Sequence, residues 1–118
     1  MPKPILWLEV PEAHDYPAAA SYLSLLYGEA AVAEIVLKLQ GAHVSRFKAK
    51  DIIRASGLMS LGTDNAHVAK NLNKIAGGKR LSPLLLIRGE PLLIADGYHR
   101  ACAVYLYDED AEIPCQII

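Results

Sequence analysis

Cysteine is scarce in this chain of 118 residues, and the two present, Cys102 and Cys115, sit inside apolar patterns rather than in a metal or redox spacing. Buried reduced thiols in a cytoplasmic protein are the expected state, with a disulfide between them as the alternative. No apolar run approaches the ~18 residues of a membrane span. Met1-Pro2-Lys3-Pro4 leads only into a short apolar stretch ending at Glu9, which makes a poor signal peptide. A basic excess is also missing. Twelve Lys and Arg against 13 Asp and Glu give a net charge of −1, whereas non-specific nucleic-acid binders draw most of their affinity from a cationic surplus. No repeat or low-complexity segment is visible. Asp108-Glu109-Asp110 reads as an exposed acidic loop, and no Asp/Glu cluster is spaced to converge on a metal.

What is present is one domain's worth of chain, 1–118, with 53 % hydrophobic residues. The stretch 1–45 reads as a helical extension. Asp15 before Pro17 marks a helix start, with Ala18 to Tyr27 continuing it to Gly28. A second helix runs from Glu29 to Gln40 and closes at Gly41. Val32, Ile35, Val36 and Leu39 fall at i, i+3, i+4 and i+7, one apolar face. This pair is expected to pack on the rest of the domain, a homodimer contact being the alternative.

The stretch 46–118 alternates between element types. Asp51 to Ala55 reads as a short strand ending at Ser56-Gly57. A helix follows from Asn65 to Ala76, with Thr63 or Asp64 as its cap and Gly77-Gly78 as its stop. Leu84 to Arg88 and Pro91 to Ala95 read as strands, Tyr98 to Leu106 as a helix, and Ile113 to Ile118 as a final strand. Pro114 argues for an edge position or an early strand residue there. The expected fold class is α+β, a small mixed β-sheet with flanking helices and an N-terminal helical extension.

Chemistry concentrates in Asp96-Gly97-Tyr98-His99-Arg100. Glycine permits a tight strand-to-helix turn and close approach by another molecule. A helix N-terminus offers unpaired N–H groups and the positive end of the dipole. His99 and Arg100 in that first turn oppose the dipole instead of complementing it, so a phosphate or carboxylate is expected between them. A solvated first turn with Asp96 as a simple cap is the alternative.

Segment Asp51 to Ile118 resembles the ParB/sulfiredoxin superfamily. Gly97-Tyr98-His99-Arg100 is similar to the Gly-Cys-His-Arg of sulfiredoxins, and Asp96 to Arg100 is closer still to the Asp-Gly-His-His-Arg of ParB-like free serine kinases. Asp64-Asn65-Ala66-His67-Val68 resembles the Asp-Pro-Ala-Lys-Val that begins the sulfiredoxin helix. Glu112 to Ile117 resembles the final strand of the family. The resemblance implies that Gly97, Tyr98, His99 and Arg100 bind the phosphates of ATP, ADP or CTP with Mg²⁺. It further implies that His67, Lys70 and Lys74 lend contacts from one helical face, a spacing that independently aligns them. Arg54 matches an arginine that supports the sulfiredoxin site.

Departures from the family narrow the activity. Tyr98 stands where sulfiredoxins carry their nucleophilic cysteine, and a phenol cannot replace a low-pKa thiolate. No helix-turn-helix with a basic signature accompanies the domain, which argues against plasmid partition. Three readings stay open: a small-molecule phosphotransferase, a ParB-like nuclease, and a non-catalytic nucleotide-responsive module that controls a partner. For the first, Asp96 and His99 are the candidate catalytic groups, with Asp96 alternatively capping the helix or orienting His99.

Overall fold

Helices open the chain, as their apolar spacing predicts. The computed structural model describes residues 3–118. Helix α1 spans Asp15–Leu23 and α2 spans Glu29–Gly41. The first ends earlier than the expected Tyr27. Ser24 Oγ turns back onto the Ser21 carbonyl at 2.7 Å, and the amides of Leu25 and Leu26 reach only three residues back, which tightens and stops the helix.

The segment after Gly41 departs most from expectation. Val44–Lys48 forms strand β1, which the sequence reading left without an element. Of its exposed residues Arg46, Phe47 and Lys48, two are charged, as is ordinary for an edge strand, so little apolar signal marks it. The expected strand Asp51 to Ala55 is instead part of helix α3, Ala49–Ser56, closed by Gly57 in the left-handed region. Ile52-Ile53 reads locally as a β-branched strand pair. From Ala49, however, the buried positions Ala49, Ile52, Ile53 and Ser56 fall at i, i+3, i+4 and i+7. Tertiary burial of that face overrides the local propensity.

Helix α4, Ala66–Ala76, is capped by Asn65 rather than by Thr63 or Asp64. The Asn65 side chain accepts from the amides of His67 and Val68. Strands β2, Leu84–Ile87, and β3, Leu93–Asp96, form a hairpin whose turn holds Pro91. Helix α5 spans Tyr98–Tyr107, and β4 spans Glu112–Ile117.

The sheet is mixed, in the order β1-β4-β2-β3. Strand β4 runs antiparallel to β1 and parallel to β2, while β2 and β3 are antiparallel. Pro114 therefore lies in an interior strand, not at an edge. It stands opposite Arg46 of β1, one residue before pairing with β2 begins at Cys115. That position satisfies the early-residue alternative and relieves the missing N–H.

Strand alternation splits the interior between the two faces of the sheet. Leu84, Leu86, Ile94, Ile113 and Cys115 pack with α3, α4 and α5. Leu85 and Ala95 pack with Ala19, Leu23, Val32 and Leu39 of α1 and α2. Each fully buried leucine contributes about 1.5–3 kcal/mol. The N-terminal helices thus cover one face of the sheet, as the packing expectation held, and a boundary at residue 45 would cut β1. Both cysteines are free and buried; burial pushes the Cys115 thiol up to about 11. Among the described residues no helix is long and apolar enough to cross a membrane.

Candidate functional site

The strand-to-helix turn from β3 to α5 is built around Gly97. Its φ of +103° lies in the left-handed region, and a Cβ there would come within 2.8 Å of Leu84 Cγ and 2.9 Å of Arg100 Nη2. Only glycine fits. A register shift in the β2–β3 ladder sits beside the turn, a device that re-aims side chains at the end of a strand. Helix α5 starts at Gly97 with no side-chain cap, so its first amides lack the partner that Asn65 supplies to α4.

This open helix end faces a cleft of about 450 Å³ lined by Ala18, Tyr22, Leu58 and residues 94–99. Asp96, Gly97, Tyr98 and His99 are therefore brought together as expected. His67, the second residue of α4, packs its ring against His99 with centroids 4.9 Å apart. Burial, with the neighbouring His67, holds His99 below the usual histidine range. Neutral at pH 7, its imidazole can either donate or accept. The Tyr98 hydroxyl donates to the Met59 carbonyl, tying the loop after α3 to the start of α5. Burial keeps that phenol above its ordinary value.

Arg100 sits behind the turn rather than in the cleft. Its Nη2 donates to the Pro83 carbonyl at 3.2 Å and to Asp96 Oδ2 at 3.3 Å. Its Nε is buried without a partner among the described residues. Asp96 accordingly neither caps α5 nor holds His99; it pairs with Arg100. Desolvation raises the Asp96 carboxyl above the usual range, Arg100 opposes the rise, and Asp15 adds to it.

Three further sequence candidates lie elsewhere. Lys70 and Lys74 line a separate pocket of about 210 Å³ with Asn73 and Lys79. Arg54, on α3 rather than at a strand end, is exposed and ion-paired with Asp51 at 3.0 Å. It lines another depression with Lys50 and Tyr105. Of the two lysines and the histidine expected to face His99 and Arg100, only His67 comes together with His99. Spacing aligned these side chains correctly along α4, but it carries no information on how far along the axis the cleft extends.

The sequence reading missed Asp15, Tyr22 and Ser82. Tyr22 forms a cleft wall. Asp15 is only 4 % exposed and accepts from Ser82 Oγ and from the Glu12 amide. As the first residue of α1 it read as a helix start, and nothing local distinguishes a capping aspartate from a buried one. Comparisons with protein-family models, curated proteins and solved structures found no match to this chain.

Proposed function

We propose that this protein binds a small phosphorylated ligand of the nucleotide class in the cleft at the N-terminus of α5. The observation that carries the reading is the uncapped helix start at Gly97, opening into that cleft beside His99. Free amides and the dipole favour an anion there. His99 supplies a further donor, His67 supports its ring, and Arg100 lies one layer behind. Tyr22, Leu58 and Tyr98 give the cleft apolar and aromatic walls, suited to a base or another flat apolar moiety. The resemblance of Asp96 to Arg100 to ParB-like and serine-kinase turns points to the same ligand class.

A phosphotransferase is the activity such a site would serve. Phosphoryl transfer asks mainly for positioning and charge stabilisation. Asp96, with its raised carboxyl, and His99, neutral at pH 7, are the groups placed to move a proton from an attacking hydroxyl. Mg²⁺ would arrive with the nucleotide phosphates.

The test is the thermal unfolding midpoint with ATP, ADP, CTP, GTP and inorganic phosphate, each with and without Mg²⁺. Ligand that binds the native state raises the midpoint with concentration. A rise with one nucleotide that disappears in His99→Ala supports the site. No rise at millimolar ligand refutes it. Turnover of the bound nucleotide in the presence of Mg²⁺ then separates an enzyme from a ligand-responsive module.

A further inference from the structure

The loop that joins α3 to α4 supplies one rim of the cleft, through Leu58. It carries two large apolar side chains that the fold leaves uncovered, Leu58 at 49 % exposure and Met59 at 81 %. Gly57, in the left-handed region, starts the loop, and Leu61 near its far end packs against the core. Between those points two side chains hold its backbone. Ser56 Oγ accepts from the Leu58 amide at 3.1 Å, and the Tyr98 hydroxyl donates to the Met59 carbonyl. Ser56 belongs to the adjoining helix α3, whereas Tyr98 comes from across the cleft as the first residue of α5.

The cleft lies at β3, the outermost strand, and is walled from both faces of the sheet. Tyr22 arrives on α1 from one face, and Leu58 follows α3 from the other. Tyr22 is itself 40 % exposed. Apolar side chains left open around a concave site are the ordinary mark of a ligand's apolar part. A space of about 450 Å³ is also far larger than one phosphate group and of the size that holds a whole small ligand.

We propose that Tyr98 is a positioning residue for selectivity: its hydroxyl holds the Leu58–Met59 backbone at the rim, so that Leu58 and Tyr22 accept a planar ring joined to the anion at the α5 N-terminus. The inference rests on the anion-binding reading above. Without the tether, the residues after Gly57 sample many conformations, and ordering them on binding costs entropy. With it, the rim is set before the ligand arrives. Tyr98 also follows Gly97 directly, so the rim is fixed relative to the same helix end that takes the anion. A ring covering Leu58 and Tyr22 gains in proportion to the apolar area removed from water. The favoured ligand is therefore an aryl or nucleoside phosphate, not a bare oligophosphate.

The test compares ligands that differ only in the ring. Calorimetry gives the affinities of ADP against pyrophosphate, and of ATP, CTP and GTP against tripolyphosphate, all with Mg²⁺. Wild type is expected to bind one nucleotide more tightly than the oligophosphate of equal length. Tyr98→Phe, which removes only the tether, should lower that preference ~fivefold or more, with oligophosphate affinity retained. Leu58→Ala and Tyr22→Ala should move it in the same direction, while Leu106→Ala, an exposed leucine outside the cleft, should not. Methyl NMR of Met59 should respond to the nucleotide and not to tripolyphosphate, and Tyr98→Phe should abolish that response. A preference unchanged in Tyr98→Phe overturns the positioning role. Equal loss of nucleotide and oligophosphate in that variant also overturns it, since the hydroxyl then serves only the turn. Oligophosphates bound as tightly as nucleotides by wild type overturn the ring selectivity and leave the anion site standing. Absence of binding by every phosphate overturns the anion-site reading and the selectivity with it.

Discussion

Helices α4 and α5 begin side by side, and each carries a histidine as its second residue. The two rings meet at 4.9 Å, yet the two helix ends are finished differently. Asn65 closes α4, its side-chain oxygen 2.9 Å from the His67 amide and 3.2 Å from that of Val68. Gly97 has no side chain to close α5. A cap supplies about 1 kcal/mol, and any capping side chain at residue 97 would collide with Leu84. The difference separates a helix end that the chain finishes itself from one that it leaves open.

The strongest way to break the contrast is Gly97→Ala. A Cβ at positive φ, 2.8 Å from Leu84 Cγ, should cost about 2–4 kcal/mol from strain and overpacking together, read as a lowered urea midpoint with loss of any ligand-induced rise. Arg100→Ala comes next. It uncovers the Pro83 carbonyl and leaves Asp96 without its cation, so about 1–3 kcal/mol of stability should go. A fully stable Arg100→Ala protein would show that this network does little for the fold.

Asn65→Ala sharpens the comparison from the other side. It should cost about 1 kcal/mol by chemical denaturation while leaving the proposed anion binding at α5 unchanged. Lys70→Ala with Lys74→Ala should change nucleotide affinity less than ~threefold, because neither lysine lines the cleft; a tenfold loss would return them to the site.

The smallest effect belongs to His67→Ala, which removes one of the two causes holding His99 down. Its midpoint, followed by ring-proton NMR, should move up toward the ordinary histidine value. The sign for stability follows. A histidine held low in the folded state binds fewer protons there than in the unfolded chain, so its penalty grows as pH falls through the unfolded value near ~6.5. His67→Ala should therefore flatten the loss of stability on the acid side. Asp96 acts the other way, being raised. Its favourable contribution is complete below the ordinary carboxylate value and is lost as pH climbs through its folded midpoint.

Much of this architecture was legible because local and tertiary preferences agree. The apolar face of α2, the continuous Leu84-Leu85-Leu86-Ile87 run of β2 and the glycine before α5 each say in sequence what they do in space. Where burial lies on a face that local propensity contradicts, the reading failed, and Ile52-Ile53 became a strand. Edge strand β1 gave almost no signal, since its polar outer positions resemble a loop. At the site, the contiguous residues 96–100 were legible as one motif. Asp15, Tyr22 and Ser82 were not, because α1 meets β3 across most of the chain's length, and no spacing along the chain encodes that meeting.

The position of β4 bears on how the molecule is made. On the ribosome the chain emerges in order, so β1 must wait through the synthesis of three helices and two strands before β4, its partner in the sheet, appears. Strand β2, meanwhile, has β3 at once but lacks its second neighbour. Long-range pairing of this kind is slow, and a waiting strand is a hazard for misassembly. The charged residues Arg46 and Lys48 on β1 keep that waiting strand from pairing with other nascent chains.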